Sequence, residues 1–171
     1  MEIKNCINSD IHDILTLYGH ARDYQKIKGA VLWPQIESAL VENEILENRQ
    51  WKIVENNEIA CVWATTFDDP LIWKEKNSDP SVYIHRIATN PDYRGKHLVG
   101  KIVAWARTYA KANNKTFIRL DTVGENKGLI AYYQKSGFAF LGLTYLKANP
   151  QLPAHYHDAE VSHFEMAVIG D

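Results

Sequence analysis

The 171-residue chain has a length suited to one domain with a substantial core, and its 46% hydrophobic and 23% charged residues are ordinary for a globular protein. No apolar run approaches the roughly 18 to 20 residues needed to span a bilayer, and a formal net charge of −2 leaves no surplus of cations for a nucleic-acid backbone. Cys6 and Cys61 form neither a Cys-x-x-Cys pair nor a disulfide framework, so the expectation is a single domain over residues 1–171 in a reducing, cytoplasmic compartment.

The first residues, MEIKNCINSDIHD, lack a basic segment followed by an apolar one and read as mature protein. Ile3, Cys6 and Ile7 suggest a short strand. Asn8-Ser9-Asp10 then offers capping side chains to a helix carrying Ile11, Ile14, Leu15 and Tyr18 and reaching about Tyr24. Lys26 to Gly29 breaks that pattern, and Pro34 suits the first turn of a second helix with Ile36, Leu40 and Ile45. From Trp51 the period becomes strand-like: WKIVE, a turn at Asn56-Asn57, then IACVWATTF, a hairpin. Asp68 to Pro80 is polar and turn-rich around Leu71, Ile72 and Trp73, and is expected to be an excursion over a sheet edge.

A strand over Ser81–Thr89 leads through a basic loop into a helix with Ile102, Val103, Trp105, Ala106 and Tyr109, where Trp105 belongs to the core stripe. A strand Thr116–Asp121, a helix Lys127–Ser136 and a strand Phe138–Leu143 follow. Lys147 to Asp158 reads as a Pro-containing loop and Val161–Val168 as the last strand. The order of elements is mixed α/β. Pairing through the last strand or an exposed edge would give a homodimer.

Two segments carry chemistry. Tyr83 to Gly100, YIHRIATNPDYRGKHLVG, runs from a strand through a turn into a basic loop that opens a helix. Unused backbone N–H groups at a helix start, with Arg94 and Lys96 beside them, suit a phosphate or pyrophosphate; an ordinary solvated connection is the competing reading. In Asp121 to Phe138, DTVGENKGLIAYYQKSGF, Asn126 and Tyr133 stand seven residues apart, nearly two helical turns, and share a side. The plainer reading makes Asn126 an N-cap, Tyr133 a core aromatic and Gly137 the C-terminal cap.

Together these segments resemble the GNAT superfamily of acyl-CoA-dependent N-acetyltransferases. Pro91, Tyr93, Arg94 and Gly95 match the family's Pro-x-Tyr-Arg-Gly, with Arg94 opening the pyrophosphate pattern. His97 stands where the second glycine is usual and Val99 where Gly or Ala is usual, with Gly100 one residue late. Asn126, Tyr133, Gly137 and Phe138 match the second family pattern. The resemblance implies a mixed, mostly antiparallel central sheet flanked by helices. It also implies transfer of an acetyl group from acetyl-CoA to a primary amine of a small molecule or peptide by direct attack.

By the same resemblance, Ile87, Ala88 and Thr89 would line the pantetheine chain. Arg94, Gly95, Lys96, His97, Leu98, Val99 and Gly100 would hold the pyrophosphate, and Asn126 would also touch the cofactor. Tyr133 is the expected general acid, with Tyr132 as rival, and His85 the expected base, with Tyr83 behind it. The departures at His97 and Val99 keep open a catalytically weak acyl-CoA-binding module or sensor. His155, His157 and Asp158 read better as a substrate-facing loop than as a metal site. Asp158 and Glu160 are candidates to attract a cationic amine, and Trp63 and Trp73 to wall the acceptor groove.

Overall fold

The computed structural model describes residues 1–168; Ile169 to Asp171, the end of the expected domain span, lie outside the described residues. The regular elements are β1 (Glu2–Asn5), α1 (Ile11–Ile27), α2 (Ser38–Leu46), β2 (Gln50–Glu55), β3 (Glu58–Thr66) and α3 (Pro70–Trp73). After them come β4 (Ser81–Thr89), α4 (Leu98–Ala112), β5 (Phe117–Val123), α5 (Lys127–Lys135), β6 (Ala139–Leu146) and β7 (Ala159–Ala167). The strands pair in the order β1-β2-β3-β4-β5-β7-β6, and the fold is mixed α/β with a mostly antiparallel sheet. The chain divides into two compact units: Met1–Thr65 with Ile84–Leu98, and Thr66–Tyr83 with the chain from Val99 onward.

In the first unit β1, β2 and β3 form an antiparallel meander with Ile3 opposite Ile53 and Ile53 opposite Cys61. Asn56 and Asn57 both take positive φ (52° and 64°), the turn that matches the twist of a two-residue hairpin. Ile14, Leu17 and Tyr18 recur at helical spacing on α1 and pack with Cys6, Val41, Val62 and Ala88. Each fully buried aliphatic of this kind contributes roughly 1.5 to 3 kcal/mol.

The second helix begins at Ser38, not at Pro34. Proline biases the residue before it towards extended backbone, and Trp33 is tied there by two bonds: its N–H donates to Gln25 Oε1 (2.9 Å) and its carbonyl accepts from Arg22 Nε (3.0 Å). Ile36 therefore packs on the core from outside the helix.

In the second unit Ser81–Tyr83 of β4 pair in parallel with Phe117–Arg119 of β5, and β5, β7 and β6 continue antiparallel. The last strand is interior to the sheet, so the edge is β6 and not β7. The polar stretch expected as a loop holds a helical turn, because Ile72 and Trp73 are apolar enough to be buried (both 4% exposed). The fully buried Arg119 anchors the chain beyond α3, donating to the Lys76 carbonyl (2.5 Å), Asp79 Oδ2 (2.6 Å) and Glu165 Oε2 (2.8 Å).

Strand alternation sends Leu120 and Phe164 to one face of this unit and Asp121 and His163 to the other. α5 covers the first through Tyr133 on Phe164 (ring centroids 5.1 Å), and α3 the second through Trp73 on His163 (4.7 Å). On α4 the buried stripe is Leu98, Val99, Ile102, Val103, Ala106 and Ala110. Trp105 lies beside that stripe rather than in it, half-buried and stacked on Tyr109 at 4.8 Å.

Candidate active site

The basic loop is set by the turn that precedes it. Asn90 Oδ1 accepts the Asp92 amide (3.1 Å), its Nδ2 donates to the Ile59 carbonyl (3.2 Å), and the buried Tyr93 donates its hydroxyl to Glu58 Oε2 (3.0 Å). With the turn so fixed, Gly95 takes φ +79° and His97 φ +54°. A left-handed residue is therefore present where the family pattern has its second glycine, and histidine tolerates it better than a β-branched residue would.

Arg94, Gly95, Lys96 and His97 are exposed, as is Gly100. Leu98 and Val99 bury their side chains, which leaves their amides as the groups with which they could meet a ligand, and the first amides of a helix have no intrahelical acceptor. The Arg94 guanidinium lies 4.5 Å from the Tyr24 ring centroid, which holds it at low entropic cost. An exposed cationic loop with helix-start amides fits a pyrophosphate.

On β4, Ala88 is buried while His85, Ile87 and Thr89 are half-buried. Burial, with the charges of Arg86 and Arg49, pushes the His85 imidazole down to about 3, so it is neutral at physiological pH. Arg86 is itself unusual: φ is +52°, and its Nη2 donates to both carboxylate oxygens of the buried Glu44 at 2.5 Å. Tyr83 is buried and accepts from Arg119 Nη1 (3.3 Å). Trp63, expected in a groove wall, has no exposed surface and belongs to the core, as Trp73 very nearly does. Cys6 and Cys61 are both pushed up to about 12, chiefly by burial, so neither offers a thiolate near neutrality.

On α5, Asn126 is the N-cap: its Oδ1 accepts the Leu129 amide at 3.0 Å. Its Nδ2 remains for another partner. The helix ends in a Schellman motif, with Phe138 N–H on the Tyr133 carbonyl (3.1 Å) and Gly137 N–H on the Gln134 carbonyl (3.0 Å). Gly137 supplies the positive φ (+100°) that this motif requires. Tyr133 is 8% exposed and Tyr132 40% exposed.

In the histidine-containing loop His157 and Asp158 are held locally, whereas His155 Nδ1 is buried without a hydrogen-bond partner among the described residues. His157 Nε2 meets the Leu152 carbonyl (2.8 Å), and Asp158 Oδ1 accepts from Tyr145 Oη and Ala148 N (both 3.1 Å).

One cluster escaped the sequence reading. Carboxylate oxygens of Asp69 and Asp121 lie within 4.8 Å of each other, and Asp121 Oδ2 accepts the Tyr156 hydroxyl at 2.7 Å. Burial pushes Asp121 up to about 6; burial, then the charges of Asp121 and Asp68, push Asp69 up to about 7. An acid closing the expected strand Thr116–Asp121 was the available signal. Asp69, in the Asp-Asp-Pro turn, gave none.

A protein-family model, acetyltransferase (GNAT) family, matches residues 16–138. The chain is 32% identical over 74 residues to the uncharacterized N-acetyltransferase YesJ of Bacillus subtilis (strain 168), covering 43% of this chain and 41% of that protein. It is 36% identical over 55 residues to the uncharacterized N-acetyltransferase MJ1207 of Methanocaldococcus jannaschii, covering 32% of this chain and 24% of that one. The matches thus span less than half the length of either curated relative.

Among solved structures, a GNAT-family acetyltransferase from Listeria monocytogenes 4b F2365 superposes with TM-score 0.76 at 19% identity, covering 97% of this chain and 94% of that one. yncA of Salmonella typhimurium, solved with its cofactor acetyl-CoA, does so with TM-score 0.70 at 15% identity, covering 100% and 95%. At such identities the likeness speaks for the fold. Among the described residues no helix is long and apolar enough to cross a membrane.

Proposed function

The chain belongs to the acetyltransferase (GNAT) family, and on that premise we propose that it moves an acetyl group from acetyl-CoA to a primary amine of a small molecule or peptide. The observation that carries the reading is the family match taken with the exposed Arg94–His97 loop, whose left-handed Gly95 and His97 turn backbone and cationic groups outward. Arg94 and Lys96 side chains, with the amides of Gly95 and of His97 to Gly100, hold the pyrophosphate; Ile87, Ala88 and Thr89 line the pantetheine arm, and Asn126 Nδ2 adds a donor.

Direct attack fits the two cysteines, which are buried and protonated near neutral pH and so are poor acyl carriers. The amine must lose a proton, and the leaving thiolate gains one. Tyr133 donates to the thiolate. For the other proton, His85 is a poor acceptor because burial among arginines makes its charged form costly. Asp121, held up to about 6 and hydrogen-bonded by Tyr156, is better matched to proton transfer near neutrality, with Asp69 beside it favouring a cationic amine.

The test is release of free thiol from acetyl-CoA across a panel of amines, cationic and neutral. Tyr133→Phe should lower kcat with acetyl-CoA affinity retained, and Tyr132→Phe should leave kcat nearly intact. Equal losses in both would remove Tyr133 from the acid role. A second reading, an acyl-CoA sensor without turnover, draws on the side chains at His97 and Val99; binding without thiol release from any amine would favour it. The edge strand β6 exposes Leu141, Leu143 and Tyr145, and is where a second copy would pair in a homodimer. Sedimentation showing only monomer would remove that assignment.

A further inference from the structure

A second basic feature lies in the segment beyond α3. A cavity of about 130 Å³ is lined by Trp73, Lys74, Lys76, Leu141, Thr144 and His163, together with Ile72. It has room for a few waters or one small anion. Trp73 is 4% exposed, and its indole Nε1–H is buried without a hydrogen-bond acceptor. A buried donor left unpaired costs about 1 to 3 kcal/mol, so an acceptor supplied from outside the chain would recover it.

The surroundings favour a negative acceptor. The imidazole beside the indole is already used, since His163 Nε2 lies 3.3 Å from the Ile72 carbonyl and must carry the proton there. Burial, with smaller contributions from Lys74 and Lys76, lowers the His163 pKa, so the ring is neutral and the lysines supply the local charge. Of the carboxylates on this side, Glu165 and Asp79 are both held by Arg119 Nη2, at 2.7 and 2.6 Å, Asp121 accepts the Tyr156 hydroxyl, and Glu75, between the two lysines, is exposed to solvent. Lys74 sits at φ +50°, a conformation that a lysine adopts at a cost. Gly142, the register partner of His163 on β6, leaves open space where a side chain would stand.

We propose that this cavity is a binding site for a small oxyanion, a carboxylate or phosphate group, with the Trp73 indole N–H as its buried donor and Lys74 and Lys76 as its cations. The site uses no residue of the Arg94 loop and does not depend on the acetyl-transfer reading.

The experiment uses full-length protein labelled with ¹⁵N-tryptophan and follows the five indole N–H resonances, that of Trp73 being assigned from Trp73→Phe or, should that variant not fold, by through-bond assignment. Sodium acetate, phosphate and chloride are titrated separately at constant ionic strength, without acetyl-CoA. The Trp73 resonance should move saturably with acetate or phosphate and not with chloride, and at least about tenfold higher concentration should be needed in Lys74→Gln/Lys76→Gln, whose changed side chains are exposed. Tighter acetate binding identifies a carboxylate ligand, and tighter phosphate binding a phosphorylated one. A Trp73 resonance that stays fixed, or that follows chloride equally, overturns the proposal.

Discussion

Phe138 donates its backbone N–H to the carbonyl of Tyr133 at 3.1 Å, and the two rings meet nearly edge to face at 5.9 Å. The cap that ends α5 thereby fixes the tyrosine assigned as the acid. The five-residue spacing from Tyr133 to Phe138 is that of C3 and C″ in a Schellman motif, which gives the family pattern a physical reason.

Gly137 is the hinge of that cap. At φ +100° an added Cβ would also come within 3.1 Å of Met166 Cε. Gly137→Ala should cost roughly 1 to 2 kcal/mol and lower Tm by about 2 to 8 °C in a thermal melt. An unchanged Tm would mean the cap does not constrain the helix end.

His97 carries the left-handed conformation that glycine usually would. His97→Gly should leave acetyl-CoA affinity intact and Tm unchanged or slightly higher, because relief of strain offsets the added chain entropy. His97→Val, β-branched, should lose about 1 kcal/mol or more of stability and bind acetyl-CoA more weakly. Calorimetry and melting of the pair distinguish loop geometry from a direct histidine contact, for which both variants would lose affinity alike.

Asp121 ties activity to pH with opposite signs in rate and stability. Its folded-state pKa, about 6, is raised above the ordinary carboxylate value. Its protonated form therefore stabilises the fold below about pH 4, and that contribution is lost as pH rises through 6. As a base it works only when ionised, so kcat/KM should climb through the same window. Asp69 and Tyr156 share the cluster and His163 faces it across the ladder, so the apparent value belongs to the group. Asp121→Asn should abolish that limb of the profile, lower turnover by about 10² to 10⁴ and raise Tm at pH 8 but not at pH 4. A variant equally active at all pH would remove Asp121 from the mechanism.

Glu44 and Arg86 are a buried pair, 4% and 20% exposed at the side chain. Glu44→Gln leaves the guanidinium without its counter-charge and should cost about 3 to 5 kcal/mol in urea unfolding, whereas replacing both by apolar residues should recover much of it. The pair holds Arg86 at its positive φ beside His85, so the single variant should also disturb β4.

The sequence was most informative where one local rule decided the outcome. The Asn56-Asn57 hairpin, the strand Ser81–Thr89 and the Asn126 and Gly137 caps follow from turn and capping chemistry within a few residues. It was least informative where distant partners decide. Pro34 looks like a helix start until Gln25 and Arg22 claim Trp33, and Ile72-Trp73 looks like a loop until Arg119 and His163 receive it. The Asp69–Asp121 pair joins residues 52 positions apart (121 − 69), a proximity no periodicity announces.

Acetyl-CoA held through the Arg94 loop is the central claim, and the most direct measurement is calorimetric titration of acetyl-CoA into wild-type protein and Arg94→Ala, with ATP and NAD as controls. Binding of acetyl-CoA should be saturable and selective over both controls, and weakened by about 1.5 to 3 kcal/mol in Arg94→Ala, as for a hydrogen bond to a charged group. Absence of binding, or the same affinity in the two proteins, would contradict it.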